Sequence, residues 1–136
     1  MRTKATIIDK AISFATKAHD GQMRNDGITP YIAHPIRVSS FFDDDIRVVV
    51  ALLHDTVEDT AVTLEDIHKE FGLEVGVYVE HLTHREGEEY MDYITRVKKY
   101  ELTSEIKIAD ILSNAADDPS PKALQKYRRA LKFLTK

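Results

Sequence analysis

The spacing of apolar residues constrains the fold of this 136-residue chain more than any other feature, because it is helical along nearly the whole length. In the first segment, apolar side chains recur every three or four residues, at Ile7, Ile8, Ala11, Phe14, Ala15 and Ala18. This period predicts an amphipathic helix over about residues 4–19. Glycines and a proline then mark the following segment, residues 20–35, as a loop.

The rest of the chain reads as a series of further helices. The second begins near Pro35 and runs to Phe42, and the third covers about residues 46–57 after an aspartate cluster that suits an N-cap. The segment 73–84 has the β-branched content of a strand, but its length and neighbours favour a helix. The other predicted helices lie within residues 63–72, 88–100, 104–116 and 122–134. No repeat or linker interrupts them, so we expect one all-α domain over residues 1–136, a compact helical bundle.

Composition excludes several classes of protein. The chain has no cysteine, which removes disulfides, zinc–thiolate sites and cysteine nucleophiles and fits a reducing compartment such as the cytoplasm. No apolar run approaches the roughly 20 residues of a membrane span, and the start is too polar for a signal peptide. The net charge is −4 and the charges are mixed, which argues against a nucleic-acid surface while leaving a local basic pocket open. The oligomeric state, a homo-oligomer included, is not constrained.

Histidine and aspartate residues interrupt apolar helix faces at three places. His54 and Asp55 end the apolar run in "VVVALLHDTVEDT", His34 precedes a proline, and Asp110 lies inside "IKIADILSNA". A carboxylate in such a setting is costly unless it is paired or bound to a metal. Two imidazoles and two carboxylates suit manganese, iron, magnesium or zinc, and a water on such an ion becomes a nucleophile near neutral pH. Each residue alone has a plainer interpretation as a surface or capping group; the set is much less expected by chance.

Several neighbours are candidates for the remaining chemistry. On a continuous helix, Glu58 would share a face with His54 and Asp55, so Glu58 and Asp59 are candidate proton carriers for the water. Asn114 follows Asp110 by one helical turn and is a candidate substrate ligand. Arg24, in the glycine-bracketed loop, and Lys107 are candidate cations for a base or a phosphate.

These residues resemble a known family. The strings "AHDGQMRNDGITPYIAHPIRV", "ALLHDTVEDT" with "VTLEDIHKEFG" behind it, and "IKIADILSNA" are similar to the HD-domain metal-dependent phosphohydrolases. The similarity is closer to the hydrolase domain of the RelA/SpoT-type alarmone enzymes of the stringent response and to their small single-domain relatives. It spans nearly the whole chain.

The resemblance implies an all-α bundle of the HD-domain type with one divalent ion, usually Mn2+, on the residues matching His34, His54, Asp55 and Asp110. It implies hydrolysis of the 3′-pyrophosphate of guanosine tetra- or pentaphosphate (ppGpp or pppGpp). In this family the residues matching Glu58 and Asp59 assist water activation. The residue matching Arg24 contacts the base, and that matching Asn114 contacts the nucleoside.

The chain departs from the family around the expected nucleotide site. Asn25 stands where a second loop cation is usual. After Asp110 the family commonly has Arg or Lys, then Leu, then His or Tyr, then Asn; here Leu112 and Asn114 match, whereas Ile111 replaces the cation and Ser113 the His or Tyr. The following "AADDP" lacks the usual basic residue. Helically spaced Tyr90, Tyr93 and Arg96 are candidates to compensate, with core packing as the alternative for the tyrosines.

These departures keep two other functions open. One is an HD-type hydrolase of another nucleotide or phosphoester, and the other is a nucleotide-binding module without turnover.

Overall fold

The computed structural model describes residues 6–136 and confirms the all-α prediction within them. The described residues form nine helices: α1 (Ile7–Ala18), α2 (Ala33–Ser39), α3 (Asp45–Leu53), α4 (Thr56–Asp59), α5 (Leu64–Phe71), α6 (Leu73–Leu82), α7 (Tyr90–Val97), α8 (Glu101–Ala115) and α9 (Pro121–Leu134). Between α1 and α2, Met23 and Pro30 form an isolated antiparallel β-bridge. The ambiguous segment 73–84 is helical, as expected, over Leu73–Leu82.

Side chains at the helix starts explain where several helices begin. Thr63 and Asp66 form a reciprocal capping box at the start of α5, which satisfies two backbone N–H groups that have no partner within the helix. Asp44 caps α3 by accepting from the backbone N–H of Arg47, within the predicted aspartate cluster. Gly72 has a φ of 93°, a conformation that glycine adopts without steric cost, and it allows α6 to follow α5 directly.

Two predicted boundaries differ from the structure. The first helix begins at Ile7 rather than near residue 4, although residues 4 and 5 themselves lie outside the described residues. The second helix begins at Ala33, before Pro35, and ends at Ser39 rather than at Phe42. The hydroxyl of Ser39 donates to the carbonyl of Ile36, and such bonds to the preceding turn favour the end of a helix.

The prediction of one helix over residues 46–57 is wrong, because α3 ends at Leu53 and a separate short helix, α4, begins at Thr56. Side chains provide the reason. The Nδ1 atom of His54 bonds the carbonyl of Ala51, and the Thr56 hydroxyl donates to the carbonyl of Leu53 at 2.8 Å. These bonds satisfy carbonyl groups at the end of α3, and the chain turns at His54 and Asp55.

The hydrophobic core surrounds α3. Its five consecutive residues from Val49 to Leu53 are all buried, which requires neighbours on every side. Helices α1, α2, α6 and α8 pack against it, and α8 in turn packs against α2, α6, α7 and α9. The end of α3 therefore lies where α2 and α8 also meet. No helix in residues 6–136 combines the length and apolar character that a membrane span requires.

Candidate metal centre

The four residues predicted to bind metal converge at the junction of α2, α3 and α8. One ligand atom from each of His34, His54, Asp55 and Asp110 lies within 4.8 Å of all the others. The Nε2 atom of His34 is 2.6 Å from Oδ1 of Asp110, and Nε2 of His54 is 3.3 Å from the same oxygen. Oδ2 of Asp55 is 3.2 Å from Nε2 of His54. Residues as far apart as 76 positions in the chain thus form one cluster.

Bonds on the far side of each imidazole fix the direction of its inner nitrogen. The Nδ1 atom of His54 donates to the Ala51 carbonyl, so in the neutral imidazole Nε2 carries the lone pair and directs it toward the cluster. The Ser113 hydroxyl lies 3.4 Å from Nδ1 of His34. Such outer bonds orient histidine ligands and set their tautomer in metal sites.

The electrostatics of the cluster fit a cation. Burial alone would lower the pKa of His54, but Asp55 and Asp110 more than offset it and raise the pKa to about 9. Burial alone would raise the pKa of Asp110, but Lys107 and the two imidazoles hold it well below its usual range. The two carboxylates therefore favour a positive charge between them, whether a proton on His54 or a bound cation. A buried, closely spaced set of two nitrogen and two carboxylate donors suits a borderline or hard divalent ion, so the residues present fit the predicted metal.

Lys107 is tied to this cluster. Its Nζ atom donates to Oδ2 of Asp110 at 2.9 Å and lies 5.1 Å from the centre of the Tyr93 ring. Nearby Asp110 raises the pKa of Lys107 well above its usual value despite burial, so the ammonium group is charged. Its predicted role as a substrate cation stays a prediction, because the described contact is with a candidate metal ligand.

Glu58 and Asp59, the predicted proton carriers, flank the cluster on the short helix α4. Oε1 of Glu58 accepts from the backbone N–H of His84 at 2.8 Å. Both carboxylates are open to solvent on one side, yet partial desolvation, together with the charge of Asp55, raises the pKa of each. A raised carboxyl pKa brings the group closer to the range in which it exchanges protons at neutral pH.

Tyr31 is a residue of the site that the sequence prediction missed. Its hydroxyl lies 2.8 Å from Oδ2 of Asp55 and 3.3 Å from Oδ2 of Asp59, so it connects a candidate metal ligand to a candidate base. His19 packs on it with ring centres 4.8 Å apart, and Gln22 joins His19 to the backbone carbonyl of Asp59. The available signal was the position of Tyr31 three residues before His34, which reveals nothing about where its hydroxyl points.

A cavity of about 540 Å³ opens beside His34 and is lined by the loop that carries Arg24. Asp26 shapes this loop by accepting from the backbone N–H groups of Ile28 and Thr29. Hydrogen bonds from Thr29, first of all from its hydroxyl, lower the pKa of Asp26 to about 2. Near neutral pH the carboxylate is therefore ionised and accepts the bonds that hold the loop. The cavity therefore combines a candidate metal ligand with the predicted base-binding arginine.

The Arg24 guanidinium is already paired. Its Nη2 atom donates to Oδ1 of Asn114 at 3.0 Å and to Oδ2 of Asp117 at 2.7 Å. Asp117, in the altered "AADDP" segment, also lies 3.3 Å from Nη1 of Arg37, and Arg24 is the main cause of its lowered pKa. Arg37 lines the cavity from α2 and was not predicted as a site residue. Two cationic side chains of the cavity, Arg24 and Arg37, thus meet at the carboxylate of Asp117.

The altered positions divide into two groups. Asn25 lines the cavity, at a position where the family usually has a cation. Ile111 and Ser113 are buried in α8, where Ser113 lies behind His34 rather than toward the cavity. The substitution at Ser113 therefore concerns the support of His34, a candidate metal ligand.

The residues expected to compensate are mainly structural. Tyr93 is buried and its hydroxyl donates to the carbonyl of Leu82 at 2.7 Å, in agreement with the core-packing alternative. Arg96 pairs with Glu88, and this bond is the main reason why the pKa of Glu88 falls to about 2. Tyr90 packs edge-on against Tyr93 with ring centres 6.0 Å apart.

The chain is similar to a known protein family and to individual known proteins. A family model described as "HD domain" matches residues 11–131. The "Probable GTP pyrophosphokinase" of Mycobacterium leprae is 35% identical over 98% of this chain. The guanosine-3′,5′-bis(diphosphate) 3′-pyrophosphohydrolase MESH1 of Xenopus tropicalis is 41% identical over 61% of this chain. This chain spans 19% of the length of the first relative and 50% of the second.

A solved structure has the same fold. It is described as a metazoan ortholog of SpoT that hydrolyzes ppGpp, and it superposes with a TM-score of 0.82 at 26% sequence identity. The superposition covers 98% of this chain and 88% of that one.

Proposed function

This chain belongs to the HD-domain family, and from that premise we propose that it is a metal-dependent phosphohydrolase that removes the 3′-pyrophosphate from guanosine tetra- and pentaphosphate. The observation that carries the proposal is the cluster of His34, His54, Asp55 and Asp110 beside a cavity that also holds Arg24. Similarity to a 3′-pyrophosphohydrolase of guanosine bis(diphosphate) and to a structure whose protein hydrolyzes ppGpp supports this choice of substrate.

The four clustered side chains hold a divalent ion, and manganese is the ion we propose. A divalent ion in such a site lowers the pKa of a water molecule and polarises a phosphoryl oxygen. The donor set fits manganese because it mixes imidazole with carboxylate and contains no thiolate. Measuring which of manganese, magnesium, iron and zinc restores turnover to stripped protein tests this choice.

The chain's own residues move the protons. Loss of the pyrophosphate as a unit breaks the bond between the 3′ oxygen and its phosphorus while a water oxygen forms a new bond to that phosphorus. The water must lose a proton and the 3′ oxygen must gain one. Glu58 and Asp59 are neighbouring carboxylates with raised pKa values, so one can accept a proton while the other, protonated, donates.

Three polar residues position the nucleotide in this proposal. Arg24 lies in a loop held by Asp26 and presents a planar cation that suits a purine face or a phosphate. Asn114 is one turn after Asp110 on α8 and bonds Arg24, so it borders both the cluster and the cavity. Lys107 neutralises Asp110 and provides a further positive charge for a phosphate drawn to the cluster.

One observation favours a second substrate class. Asp117 already accepts a bond from Arg24, so a nucleotide base must compete with a carboxylate for the arginine. An HD-type hydrolase of another nucleotide or phosphoester, one that makes less use of this arginine, is therefore the second candidate.

A nucleotide panel tests the proposal and separates the candidates. Metal-loaded protein is incubated with guanosine and adenosine alarmones, deoxynucleotides and monophosphates, and the products are separated by chromatography. We expect release of pyrophosphate from the guanosine alarmones with the highest kcat/KM. Preferred turnover of another compound supports the second candidate, and a complete lack of turnover with metal bound indicates a nucleotide-binding module.

We further propose that residues 1–136 act as one domain and that the reaction takes place in the cytoplasm. The buried core supports the first point, because it extends from Ala11 in α1 to Leu134 in α9. The lack of cysteine is consistent with a reducing compartment.

A further inference from the structure

The loop between α6 and α7, residues 83–89, reaches one of the candidate proton carriers, and we call it the α6–α7 loop. The backbone N–H of His84 donates to Oε1 of Glu58 at 2.8 Å, across 26 positions of the chain. Glu58 is exposed and lies on α4, a helix of four residues. An exposed carboxylate on so short a helix has several rotamers available, so a fixed donor from another part of the chain can select one of them.

Arg96, on α7, bonds this loop on both sides of His84. Its Nε atom donates to Oε2 of Glu88 at 2.7 Å, and its Nη2 atom donates to Oε1 of the same carboxylate at 2.7 Å. Nη2 also donates to the carbonyl of Thr83 at 2.9 Å, and Nη1 donates to that of Glu80 at 3.3 Å. This set of bonds uses the planar fork of a guanidinium, which a lysine does not reproduce. One side chain therefore fixes the chain before and after His84.

The ring of His84 holds the loop from within. It stacks on Tyr93 with ring centres 4.8 Å apart and an interplanar angle of 19°. Its Nε2 atom lies 2.6 Å from the carbonyl oxygen of Glu88. The backbone N–H of Glu88 donates to the carbonyl of Arg85 at 3.1 Å and closes a turn. The direction of the His84 backbone N–H thus depends on contacts that converge on Glu88, the partner of Arg96.

The bond from His84 affects the charge of Glu58 as well as its direction. Burial first of all, and then the charges of Asp55 and Asp59, raise the pKa of Glu58. The backbone N–H of His84 and the charge of Lys107 lower it, because a donor or a cation stabilises the ionised form. Loss of the His84 bond would therefore release the carboxylate and raise its pKa further.

Asp59, the other candidate proton carrier, is supported from a different direction. Its Oδ2 atom lies 3.3 Å from the Tyr31 hydroxyl, and its backbone carbonyl accepts from Gln22. Both partners precede α2, whereas the donor to Glu58 lies between α6 and α7. A change in the α6–α7 loop should therefore act first on Glu58, and an experiment can separate the two carboxylates.

We propose that Arg96 is a positioning residue for the reaction: by pairing with Glu88 it holds the α6–α7 loop so that the backbone N–H of His84 keeps Glu58 in the orientation from which it exchanges a proton. This rests on the proposed function, which assigns Glu58 as a proton carrier. It goes beyond that function by giving a role to a residue of α7 that neither belongs to the metal cluster nor lines the cavity beside His34.

A double-mutant cycle tests this role. Arg96→Gln is measured alone and together with Glu58→Gln, on the compound that the wild type turns over best in the nucleotide panel. Alone, it should lower kcat about tenfold, the loss expected for a bond to a charged group, while KM stays within about twofold of wild type. In the Glu58→Gln background the same change should lower kcat less than about twofold, because the carboxylate that Arg96 positions is already absent.

Arg47 provides a matched control. Its Nε atom also donates to a carboxylate at 2.7 Å, that of Glu105, and this pair joins α3 to α8 rather than holding the α6–α7 loop. Arg47→Gln should leave kcat and KM unchanged in both backgrounds. Glu88→Ala removes the proposed pair from its other side and should reproduce the loss of kcat. It takes the place of Arg96→Gln in the cycle if that variant does not fold, as judged by denaturant unfolding.

Three results overturn the proposal. The first is a kcat of Arg96→Gln within about twofold of wild type, which leaves the proposed function intact. The second is an equal loss in both backgrounds, which shows that Arg96 does not act through Glu58. The third is an equal loss in Arg47→Gln, which indicates general destabilisation rather than positioning.

The backbone amide of His84 provides a measurement that requires no turnover. In metal-stripped protein its proton NMR shift should change with pH as Glu58 ionises, and the part of this change that disappears in Glu58→Gln reports the bond between them. In Arg96→Gln that part should shrink at least twofold, whereas Arg47→Gln should match the wild type. If the wild type hydrolyses no alarmone, the proposed function fails. The reduced change in Arg96→Gln then still supports its hold on Glu58, and a change equal to that of the wild type overturns it.

Discussion

Substitution of Tyr31 by phenylalanine isolates one hydrogen bond of the candidate metal centre. The change deletes a single oxygen, which lies 2.8 Å from the Asp55 carboxylate and 3.3 Å from that of Asp59, and leaves the ring against His19 in place. A bond to a charged acceptor contributes about 1.5–3 kcal/mol. If that bond holds Asp55 in the orientation that binds metal, its loss weakens metal affinity by roughly 10- to 100-fold, as for other outer-shell bonds of metal ligands.

The chain offers a matched control. Tyr93→Phe also removes one hydroxyl with a short bond, 2.7 Å to the Leu82 carbonyl, and also keeps its ring. It should destabilise the fold by about 0.5–1.5 kcal/mol, and its effect on metal affinity should be smaller than that of Tyr31→Phe, because the Tyr93 hydroxyl bonds Leu82 rather than Asp55 or Asp59. Manganese titration of stripped protein measures the affinities, and denaturant unfolding measures the stabilities. Metal affinity of Tyr31→Phe within about twofold of wild type, or an equal loss in Tyr93→Phe, refutes a positioning role for Tyr31.

The pH profile of Tyr31→Phe provides an independent measurement. Desolvation raises the pKa of Asp59, and the bond from Tyr31 opposes that rise. Without the hydroxyl the pKa of Asp59 rises further. If Asp59 accepts the proton of the attacking water, it must be ionised, so the acid side of the kcat profile should move to higher pH. An unmoved acid side removes Asp59 from the role of base.

Three further substitutions address the remaining parts of the site. Asp55→Ala removes one of four donors and should abolish metal retention and turnover, as measured by metal analysis and by the nucleotide assay; wild-type turnover would remove the proposed site. Glu58→Gln keeps an oxygen for the backbone N–H of His84, so it should retain metal while kcat falls by about 10²- to 10⁴-fold. The pKa of Glu58 is raised in the folded state, so the stability that its protonated form contributes is present at low pH and is lost as pH rises through that pKa. The free energy of unfolding of metal-stripped Glu58→Gln should therefore increase relative to that of wild type between acidic and neutral pH. An equal pH dependence of unfolding in the two proteins would contradict this. Asp117→Asn weakens the hold on Arg24 and should lower KM for a guanosine alarmone by up to about fivefold, with Asp118→Asn as the neighbouring control; an unchanged KM would show that Arg24 does not compete for the base.

Local sequence signals were sufficient for most of the helices. Thr63 and Asp66 form a capping box that depends on residues three positions apart, and Gly72 ends α5 through its own backbone freedom. The predicted metal donors also converge, because each is a polar group in an apolar helical setting where an unpaired charge is costly. These features depend on short-range spacing or on burial, and both can be recognised in one sequence.

Long-range pairing of surface groups could not be predicted in the same way. Arg24 and Asp117 are 93 residues apart, and nothing in either segment shows that they meet. The sequence suggested that "AADDP" merely lacks a cation, whereas its first aspartate binds the arginine that was expected to contact the base. The Tyr31 hydroxyl is a similar case, since its direction depends on packing against His19.

One residue, His54, belongs both to the end of α3 and to the candidate metal centre. His54 and Asp55 keep right-handed helical backbone angles, so their side chains leave the chain about 100° apart and converge at their ends. In the structure α3 ends at Leu53, and Nε2 of His54 lies 3.2 Å from Oδ2 of Asp55. The imidazole that directs Nε2 inward is the same group whose Nδ1 bonds the Ala51 carbonyl at the helix end. His54 therefore contributes both to the end of α3, through Nδ1, and to the candidate donor set, through Nε2.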